Sequence, residues 1–398
     1  MNKIARLSLM AAAVMALAAC GKQEQKTEGA ASAGASAQAT GGEEVVKIGQ
    51  VSPMTGPIAH LGKDNEFGAT LAIDDLNKEG ITIGGKKIKF QLVSEDDQGD
   101  PKIGTQVAQR LVDAGVVGVV GHLNSGTTIP ASKIYSDNGL PQISPSATNP
   151  AYTQQGYKTT FRVIANDVQQ GGALGDFAVN TLKAKKIAII DDRTAYGQGL
   201  ADEFEKAVKA KGADVVKREF TTNSATDFSA ILTSIKSANP DLVFYGGMDA
   251  QGGPMAKQMK KLGIKAKLIG GDGMQTPEFI KLAGDAAEGQ YASICGMPRE
   301  KMPGFAAFDK KFKAKFGTDV QIYAPYEYDA VNVLVDAMKR ANSTDPKKYL
   351  ADVGKTDMTG VTGKIQFDDK GDIKNGAVTV YEVKDGKWVE KATSGGAQ

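Results

Sequence analysis

The sequence predicts an α/β protein built from two doubly wound, mainly parallel sheets. From Val45 onward, short apolar segments alternate with segments whose apolar residues recur every three or four positions. This alternation is typical of parallel strands joined by helices. It extends over about 250 residues, more than one such sheet holds, so we expect two lobes.

The first series of predicted elements starts at Val45. The helix over 64–79 has a stop signal in Gly80, and Asp100-Pro101 caps and starts another helix. In chain order the series contains the strand VVKIGQV, the helix over 64–79, a Gly-Gly hairpin in ITIGGKKIKFQLV, the helix after Asp100-Pro101, the strand VVGVV, a helix over 125–138 and the strand LPQIS.

A second series begins near residue 167. It contains a helix around 175–182, the strand KKIAIID, a helix over 198–211, the strand ADVVKREF, a helix over 227–238, the strand DLVFYGG, a helix over 251–262 and the strand KAKLIGG. Helices over 303–316 and 326–341 follow, and then a hairpin in KIQFDDKGDIKNGAVTVYEV. Because the chain returns after the second series, we expect it to pass between the lobes more than once, which suits two lobes that close on a ligand.

Composition excludes several classes of function. The chain has 398 residues, and 48 Lys and Arg against 46 Asp and Glu give a formal net charge of +2. This balance gives no electrostatic footprint for nucleic acid and no polybasic membrane patch. With 2 His and 2 Cys, a His/Cys metal cluster can hardly be assembled, and we expect neither metal nor cofactor.

The N-terminal segment is interpreted as a signal sequence over 1–19. A basic stretch, MNKIAR, precedes a short apolar stretch, and LAAC at 17–20 resembles the lipobox of bacterial lipoproteins, in which Cys20 is lipidated. An ordinary signal peptide cleaved after Ala18 is the alternative. Residues 20–44 would then be the lipidated Cys and a flexible Gly/Ala/Ser/Gln-rich tether. The remaining thiol, Cys295, fits a small buried apolar residue.

Six loops that follow predicted strands are rich in small or hydroxylated residues, and ligands of open doubly wound sheets bind at such loops. The loops are 52–62, 121–128, 144–150, 191–199, 246–253 and 270–275. In the second, Ser125, Gly126 and Thr127 lie in the first turn of a helix, where unpaired N–H groups and the helix dipole suit a carboxylate or another small anion. Plain N-capping, which needs no ligand, fits their position equally well. Thr148 adds a hydroxyl from the neighbouring loop.

Asp272, between glycines in GGDGM, is the strongest polar candidate in the second series. A turn-forming Asp is the alternative. Tyr196 follows the strand 187–191 and could cover a ligand, or lie half-buried at the surface. Donors in one lobe that face an acid in the other would match a zwitterion, with a carboxylate at one end and an ammonium at the other.

These loops together resemble one known family. SPMTGP, DDQGDPK, GHLNSGTTIPAS, PSATNP, AYGQGLA, FYGG and FDDKGD are similar, in the same order, to the leucine/isoleucine/valine-binding proteins of bacterial ABC transporters. The resemblance implies a type I periplasmic binding fold with a three-crossover hinge. It implies an N-terminal lobe of 45–166 and 297–375, and a C-terminal lobe of 167–296 and 376–394.

The resemblance also implies the ligand contacts. In the family, a Ser and a Thr hold the ligand carboxylate, and the corresponding residues here are Ser125 and Thr148. The loop 146–148 also supplies a backbone carbonyl, at Ser146, for the ligand's ammonium. The family's acidic residue that binds the ammonium corresponds to Asp272, and a tyrosine of the family corresponds to Tyr196. We therefore expect the ligand to contact Ser125, Ser146, Ala147, Thr148, Tyr196, Asp272, Met248 and Leu61.

The sequence departs from the family in the side-chain pocket. The acidic position, which is usually Glu in the family, is Asp272 here. Two positions that are aromatic in the family's pocket are Leu61 and Met248 here. The two cysteines that form the family's disulfide correspond to Gly99 and Asn124 in this chain. The frame for an amino group and a carboxylate is retained, whereas the pocket for the side chain differs, and His60 and Asp249 could add polar contacts to it.

The expected function is therefore a solute-binding lipoprotein of the periplasm. It would be a monomer on a lipid anchor, for which both the inner and the outer membrane remain open. It would capture an L-amino acid, aliphatic or branched-chain, for an ABC permease. Other solutes on the same fold remain open, namely an amide, urea, a polar amino acid or a carboxylic acid, as does an amino-acid sensor. An enzyme is rejected, because Ser125 does not lie in G-x-S-x-G and only His60 and His122 could serve as bases.

Overall fold

The computed structural model describes residues 42–396. The predicted signal sequence 1–19, Cys20 and the tether up to residue 41 lie outside the described residues. The strands are β1 (Glu44–Ser52), β2 (Thr82–Ile83), β3 (Lys86–Asp96), β4 (Gly118–Gly121), β5 (Gln142–Ser144), β6 (Thr160–Arg162), β7 (Lys186–Asp191), β8 (Asp214–Phe220), β9 (Leu242–Gly246), β10 (Lys267–Gly270), β11 (Tyr291–Ile294), β12 (Asp357–Thr359), β13 (Lys364–Gln366), β14 (Val378–Lys384) and β15 (Lys387–Ser394).

Helices connect most of these strands. They are α1 (Ala59–Glu79), α2 (Pro101–Asp113), α3 (Ser125–Asp137), α4 (Ala151–Gln154), α5 (Asp167–Asp176), α6 (Ala195–Ala210), α7 (Ser229–Ala238), α8 (Asp249–Lys261), α9 (Pro277–Ala283), α10 (Phe305–Phe316), α11 (Ala324–Ala341) and α12 (Pro346–Val353). Within residues 42–396, no helix combines the length and the apolar character needed to cross a bilayer.

The strands form two main sheets. The first has the order β2-β3-β1-β4-β5-β6, and the second has the order β15-β14-β11-β10-β9-β7-β8. Neighbours are parallel except at the edges, where β2 pairs antiparallel with β3 and β14 pairs antiparallel with both β11 and β15. The predicted fold class, a type I periplasmic binding fold with two doubly wound sheets, is confirmed.

Helices cover both faces of each sheet with apolar side chains. On the first sheet, α1 and α11 bury one face, and α2 and α3 bury the other. On the second sheet, α5 and α6 bury one face, and α7, α8 and α9 bury the other. We call the elements packed on the first sheet, including α10 to α12, the first half, and those packed on the second sheet the second half.

The chain passes between the two halves three times, at 163–166, 295–304 and 367–377. The third passage corrects the sequence analysis, because the hairpin predicted over 364–383 is wrong. β13 pairs with β12, whereas β14 joins the second sheet beside β11. A tight turn does bridge Phe367 and Ile373, but the chain then crosses over and buries the apolar side chains of β14 in the second sheet.

Several predicted helices begin too late. α1, α5 and α6 start at residues 59, 167 and 195 rather than near 64, 175 and 198. The polar residues before α5 and α6 are caps rather than loop. Asn166 forms a capping box with Gln169, and Thr194 Oγ1 accepts a hydrogen bond from the N–H of Gly197 at 2.9 Å. The short strands β6, β11, β12 and β15 were not predicted.

Candidate ligand-binding site

Ser125 is the first residue of α3, at the carboxyl end of β4. Its side chain is buried, and its Oγ accepts a hydrogen bond from the N–H of Asn149 at 3.2 Å. The hydroxyls of Thr127 and Thr128 donate instead to the carbonyl of Asn124, one turn back in the same helix. Among residues 42–396, the Ser125 hydroxyl donates to no acceptor, so its proton is free to bind a ligand.

The loop 144–150, at the end of β5, faces Ser125. Thr148 in this loop is fully buried, and its Oγ1 has no hydrogen-bond partner in the described part of the chain. The Ser146 hydroxyl donates to the carbonyl of Leu123 at 3.0 Å, which ties this loop to the one that carries Ser125. The loop therefore holds an unused hydroxyl at Thr148 next to the free proton of Ser125.

Arg162 fixes the backbone on both sides of Thr148. Its buried guanidinium donates from Nη1 to the carbonyl of Ala147 at 2.6 Å and from Nη2 to the carbonyl of Asn149 at 3.0 Å. Its Nε donates to Asp372 Oδ1 at 2.5 Å. Three donors held in a planar fork leave the backbone at Thr148 little freedom.

Asp272 follows β10 and begins a short 3₁₀ turn. Its carboxylate is buried and accepts three hydrogen bonds from uncharged groups. Oδ1 accepts from the Tyr196 hydroxyl and from Gln170 Nε2, both at 2.9 Å, and Oδ2 accepts from the Tyr323 hydroxyl at 2.5 Å. Burial raises the pKa of Asp272, and these three donors oppose the rise.

A second acid, Asp167, lies in the same buried region at the start of α5. It is fully buried, and neither carboxyl oxygen makes a hydrogen bond within the described residues. Burial raises its pKa to about 8; the nearby Thr148 hydroxyl lowers this pKa in part, and the charge of Asp272 raises it. Although it lies close to Asp167, the Thr148 hydroxyl does not reach hydrogen-bonding geometry with it.

An apolar wall adjoins these polar groups. Leu61, in the first turn of α1, is fully buried, and Met248, immediately before α8, is nearly so. Both belong to one apolar cluster with Tyr196, Tyr323 and Leu123, and this cluster draws on both halves of the molecule. This side of the pocket is thus lined by aliphatic side chains and aromatic rings.

Direct contacts join the two halves around the site. Asn149 Nδ2 of the first half donates to the carbonyl of Ala195 of the second at 2.6 Å, in addition to the bond from Tyr323 to Asp272. A cavity of about 510 Å³ opens beside these contacts and is lined from both halves, among others by Ile58, Gly126, Tyr196 and Met248.

The structure brings the predicted residues together. Ser125, Ser146, Ala147 and Thr148 lie in two linked loops of the first half. Tyr196 and Asp272 are bonded to each other in the second half, and Leu61 and Met248 lie in the apolar cluster that contains Tyr196. Tyr323, Gln170, Asp167 and Arg162 were missed. Of these, Asp167 carried a usable signal, since NDVQQ follows the apolar segment FRVIA and resembles a capped helix start.

The arrangement offers contacts for binding rather than a pair of groups for covalent chemistry. The imidazole of His122 is buried; Nδ1 lies 2.9 Å from Asp97 Oδ2 and Nε2 lies 3.0 Å from the Tyr135 hydroxyl. It therefore does not face Ser125 as a general base. Across residues 42–396, no cluster of three or more His, Cys, Asp or Glu residues could hold a metal ion.

Comparison with known proteins agrees with this arrangement. Residues 45–387 match the periplasmic binding protein family. The chain is 40% identical over 351 residues to a Leu/Ile/Val-binding protein homolog of Brucella abortus, covering 88% of this chain and 92% of that protein. It is 37% identical over 352 residues to the leucine-, isoleucine-, valine-, threonine- and alanine-binding protein of Pseudomonas aeruginosa, with 88% and 91% covered.

A solved structure gives the same result. The substrate-binding protein LivJ of the branched-chain amino acid transporter of Streptococcus pneumoniae, in complex with isoleucine, superimposes with a TM-score of 0.79 at 28% identity, covering 88% of this chain and 99% of that one. By their names, these relatives are solute-binding proteins and not enzymes, and LivJ is the substrate-binding protein of a transporter. The family that the loop motifs predicted is thus confirmed, and the chain belongs to the periplasmic binding protein family.

Proposed function

We propose that the protein captures a free L-amino acid with an aliphatic, branched side chain between its two halves. The observation that carries this proposal is the pairing of unused hydroxyl donors at Ser125 and Thr148 with the buried acids Asp167 and Asp272. A zwitterion is the small solute whose charges match such a pair of ends.

The proposed contacts for the ligand's carboxylate lie in the first half. The first turn of α3 presents backbone N–H groups and the positive end of the helix dipole, and Ser125 adds a hydroxyl proton. Thr148 lies opposite with a hydroxyl that the described residues leave unused. Hydrogen bonds to a charged group are worth roughly 1.5–3 kcal/mol each, so a few of them suffice for tight binding.

The contacts for the ligand's ammonium are two buried carboxyl groups that form no salt bridge with a described Lys or Arg, although the charge of Arg162 lowers the pKa of Asp167 in part. Asp272 accepts hydrogen bonds from uncharged groups, and Asp167 accepts none. The carbonyl of Ser146 also accepts no hydrogen bond from residues 42–396. An ammonium between these groups would offset part of the burial penalty that raises the pKa of both acids.

The side-chain preference rests on the apolar cluster. Leu61 and Met248 contribute flexible aliphatic side chains to this cluster, and these suit an aliphatic ligand side chain. The relatives support the same class of ligand, since they are named as binding proteins for leucine, isoleucine and valine, and in one case also for threonine and alanine.

Delivery to a membrane permease and attachment through Cys20 are the further parts of the proposal. The lipobox-like LAAC and the small, polar tether up to residue 44 support export and lipidation at Cys20. The lobes proposed from the family, 45–166 with 297–375 and 167–296 with 376–394, would close as two bodies about the three chain passages. Globomycin-sensitive processing and loss of the anchor in Cys20→Ser would test the lipid attachment.

Calorimetry with a panel of amino acids tests the binding function. We expect binding of leucine, isoleucine or valine, and a loss of roughly a hundredfold in affinity for Asp272→Ala. Asp285→Ala is the matched control, since Asp285 lies exposed on the same half and contacts Lys260 at 2.8 Å. Undiminished affinity in Asp272→Ala would contradict the proposal.

A carboxylic acid without an amino group is the second candidate, because both oxygens of Asp272 already have donors. The des-amino analogue of leucine, 4-methylpentanoate, separates the two. If it binds the unchanged protein as tightly as leucine does, the ligand is a carboxylic acid and the ammonium contacts are wrong. We expect it to bind at least tenfold more weakly.

A further inference from the structure

A charged pair joins the two halves next to the apolar wall of the site. His60, in the first turn of α1 in the first half, has its Nε2 2.8 Å from Asp249 Oδ2, on the first residue of α8 in the second half. The sequence neighbours of this pair are Leu61 and Met248, the two aliphatic residues of the proposed pocket. The His60–Asp249 contact therefore lies directly beside the residues of the pocket wall.

Asp249 is held rigidly on its own side. The Thr276 hydroxyl donates to the same Oδ2 at 2.6 Å, and the carbonyl of Thr276 accepts a hydrogen bond from Trp388 Nε1 at 2.9 Å. The Asp249 side chain is fully buried, whereas that of His60 is 24% exposed. Asp249 thus forms a fixed acceptor, and His60 is the partner that can withdraw with the first half.

We propose that the His60–Asp249 pair is a latch that holds the two halves together over the bound ligand. This proposal rests on the proposed function, since it describes how the binding cleft stays closed. His60 acts as a positioning residue that slows ligand release.

The charges around His60 favour its protonated form in the closed state. Burial lowers the pKa of His60, but the carboxylate of Asp249 outweighs burial, and Glu278 of α9 and Asp64 of α1 add further negative charge. Arg299 faces Asp64, and Lys63, one turn along α1, pairs with Glu66. The net result is a raised pKa of His60.

The sign of the pH dependence follows from this raised pKa. When the halves separate, His60 loses Asp249 and returns toward its ordinary pKa of about 6.5. The closed state therefore binds the proton more tightly than the open state. The latch is strongest below pH of about 6.5 and weakens as the pH rises through the closed-state pKa, where a neutral hydrogen bond replaces the charge-assisted one.

Ligand release measured by stopped-flow displacement of L-leucine tests the latch. At about pH 6, we expect His60→Gln and Asp249→Asn each to speed release by about three- to tenfold, and the double variant to be no faster than the faster single variant. At about pH 8 the effect should fall to about twofold or less. Lys63→Gln is the matched control on the same helix and should release leucine like the wild type.

Two outcomes overturn the latch. Release rates of His60→Gln equal to those of the wild type at both pH values would do so while leaving the proposed function intact, and so would fully additive effects of the two variants. If the wild type binds no amino acid, the proposed function fails first. The latch then fails with it, because no bound ligand remains for the two halves to close over.

Discussion

Asp167 and Asp272 show how burial, rather than pairing with a cation, sets the electrostatics of the site. Both side chains are nearly inaccessible, and the pKa of each is raised mainly because the charged form loses its hydration. Asp272 recovers part of this cost through Tyr196, Gln170 and Tyr323, whereas Asp167 has no hydrogen-bond donor within the described residues. A ligand that carries positive charge therefore changes the ionisation of Asp167 most.

Asp167→Asn should remove one component of the pH dependence of ligand affinity. In the free protein the pKa of Asp167 is raised to about 8, and an ammonium beside it lowers this pKa. The ligand then binds the ionised form more tightly, so affinity rises with pH through the window below about 8 and levels off above it. We expect a rise of roughly tenfold between about pH 6 and about pH 8, and a smaller rise in the variant.

Calorimetry in the His60→Gln background measures this component cleanly, because the His60–Asp249 pair acts in the opposite direction. Buffers of different ionisation enthalpy should report release of a fraction of a proton on binding, and this release should be smaller in Asp167→Asn. A rise of affinity with pH that persists unchanged in Asp167→Asn would show that the ligand does not sense this acid.

Sequence patterns could identify only those site residues that local context marks. Ser125 and Asp272 were found because each follows an apolar strand in a loop of small residues. Tyr323 follows no strand, since it lies between α10 and α11, and Gln170 lies within a helix. Both reach Asp272 only because the two halves pack against each other, and no local pattern records that packing.

Helix ends illustrate the same limit at the level of the elements. The start of α2 was predicted correctly because Asp100 accepts hydrogen bonds from the N–H groups of Lys102 and Ile103, at 2.7 and 3.1 Å, and Pro101 follows it. α1 begins after Ile58, whose side chain makes no capping hydrogen bond, so no capping residue marks its start.

α11 is capped from another helix. Asp64 of α1 is buried and accepts hydrogen bonds from four successive backbone N–H groups at the start of α11, those of Gln321, Ile322, Tyr323 and Ala324, at 2.8–3.0 Å. These bonds fix the segment that carries the Tyr323 hydroxyl to Asp272. One carboxylate therefore supports both the packing of α11 on α1 and a contact of the site.

Asp64→Ala should destabilise the fold more than the loss of an ordinary helix cap. It leaves four buried N–H groups without their acceptor, so we expect a loss of about 3 kcal/mol in the free energy of unfolding. Asp100→Ala, which removes the exposed cap of α2, should cost about 1 kcal/mol. Urea unfolding followed by circular dichroism compares the two, and equal losses would contradict the assigned role of Asp64.

The first and third chain passages are joined by hydrogen bonds around a buried charged group, Arg162. Arg162 ends β6 just before the first passage, and Asp372 lies in the third. Asp372 also accepts hydrogen bonds from Thr153 Oγ1 at 2.9 Å and from Asn166 Nδ2 at 3.1 Å. Because Arg162 also holds the carbonyls on either side of Thr148, the passages and the ligand loop form one hydrogen-bonded unit.

Arg162→Lys should therefore weaken both the fold and ligand binding. Lysine keeps the positive charge but cannot donate from a planar fork to Asp372, Ala147 and Asn149 together, so buried acceptors lose partners. We expect a loss of about 2–3 kcal/mol in the free energy of unfolding and a loss of affinity of about fivefold or more, as the backbone at Thr148 gains freedom.

Arg110→Lys is the control, because Arg110 contacts Glu95 on the exposed surface at 2.6 Å and should change the unfolding free energy by less than about 0.5 kcal/mol. Unfolding in urea and calorimetry with leucine measure both effects, and a variant that loses stability while keeping full affinity would separate the passages from the ligand loop.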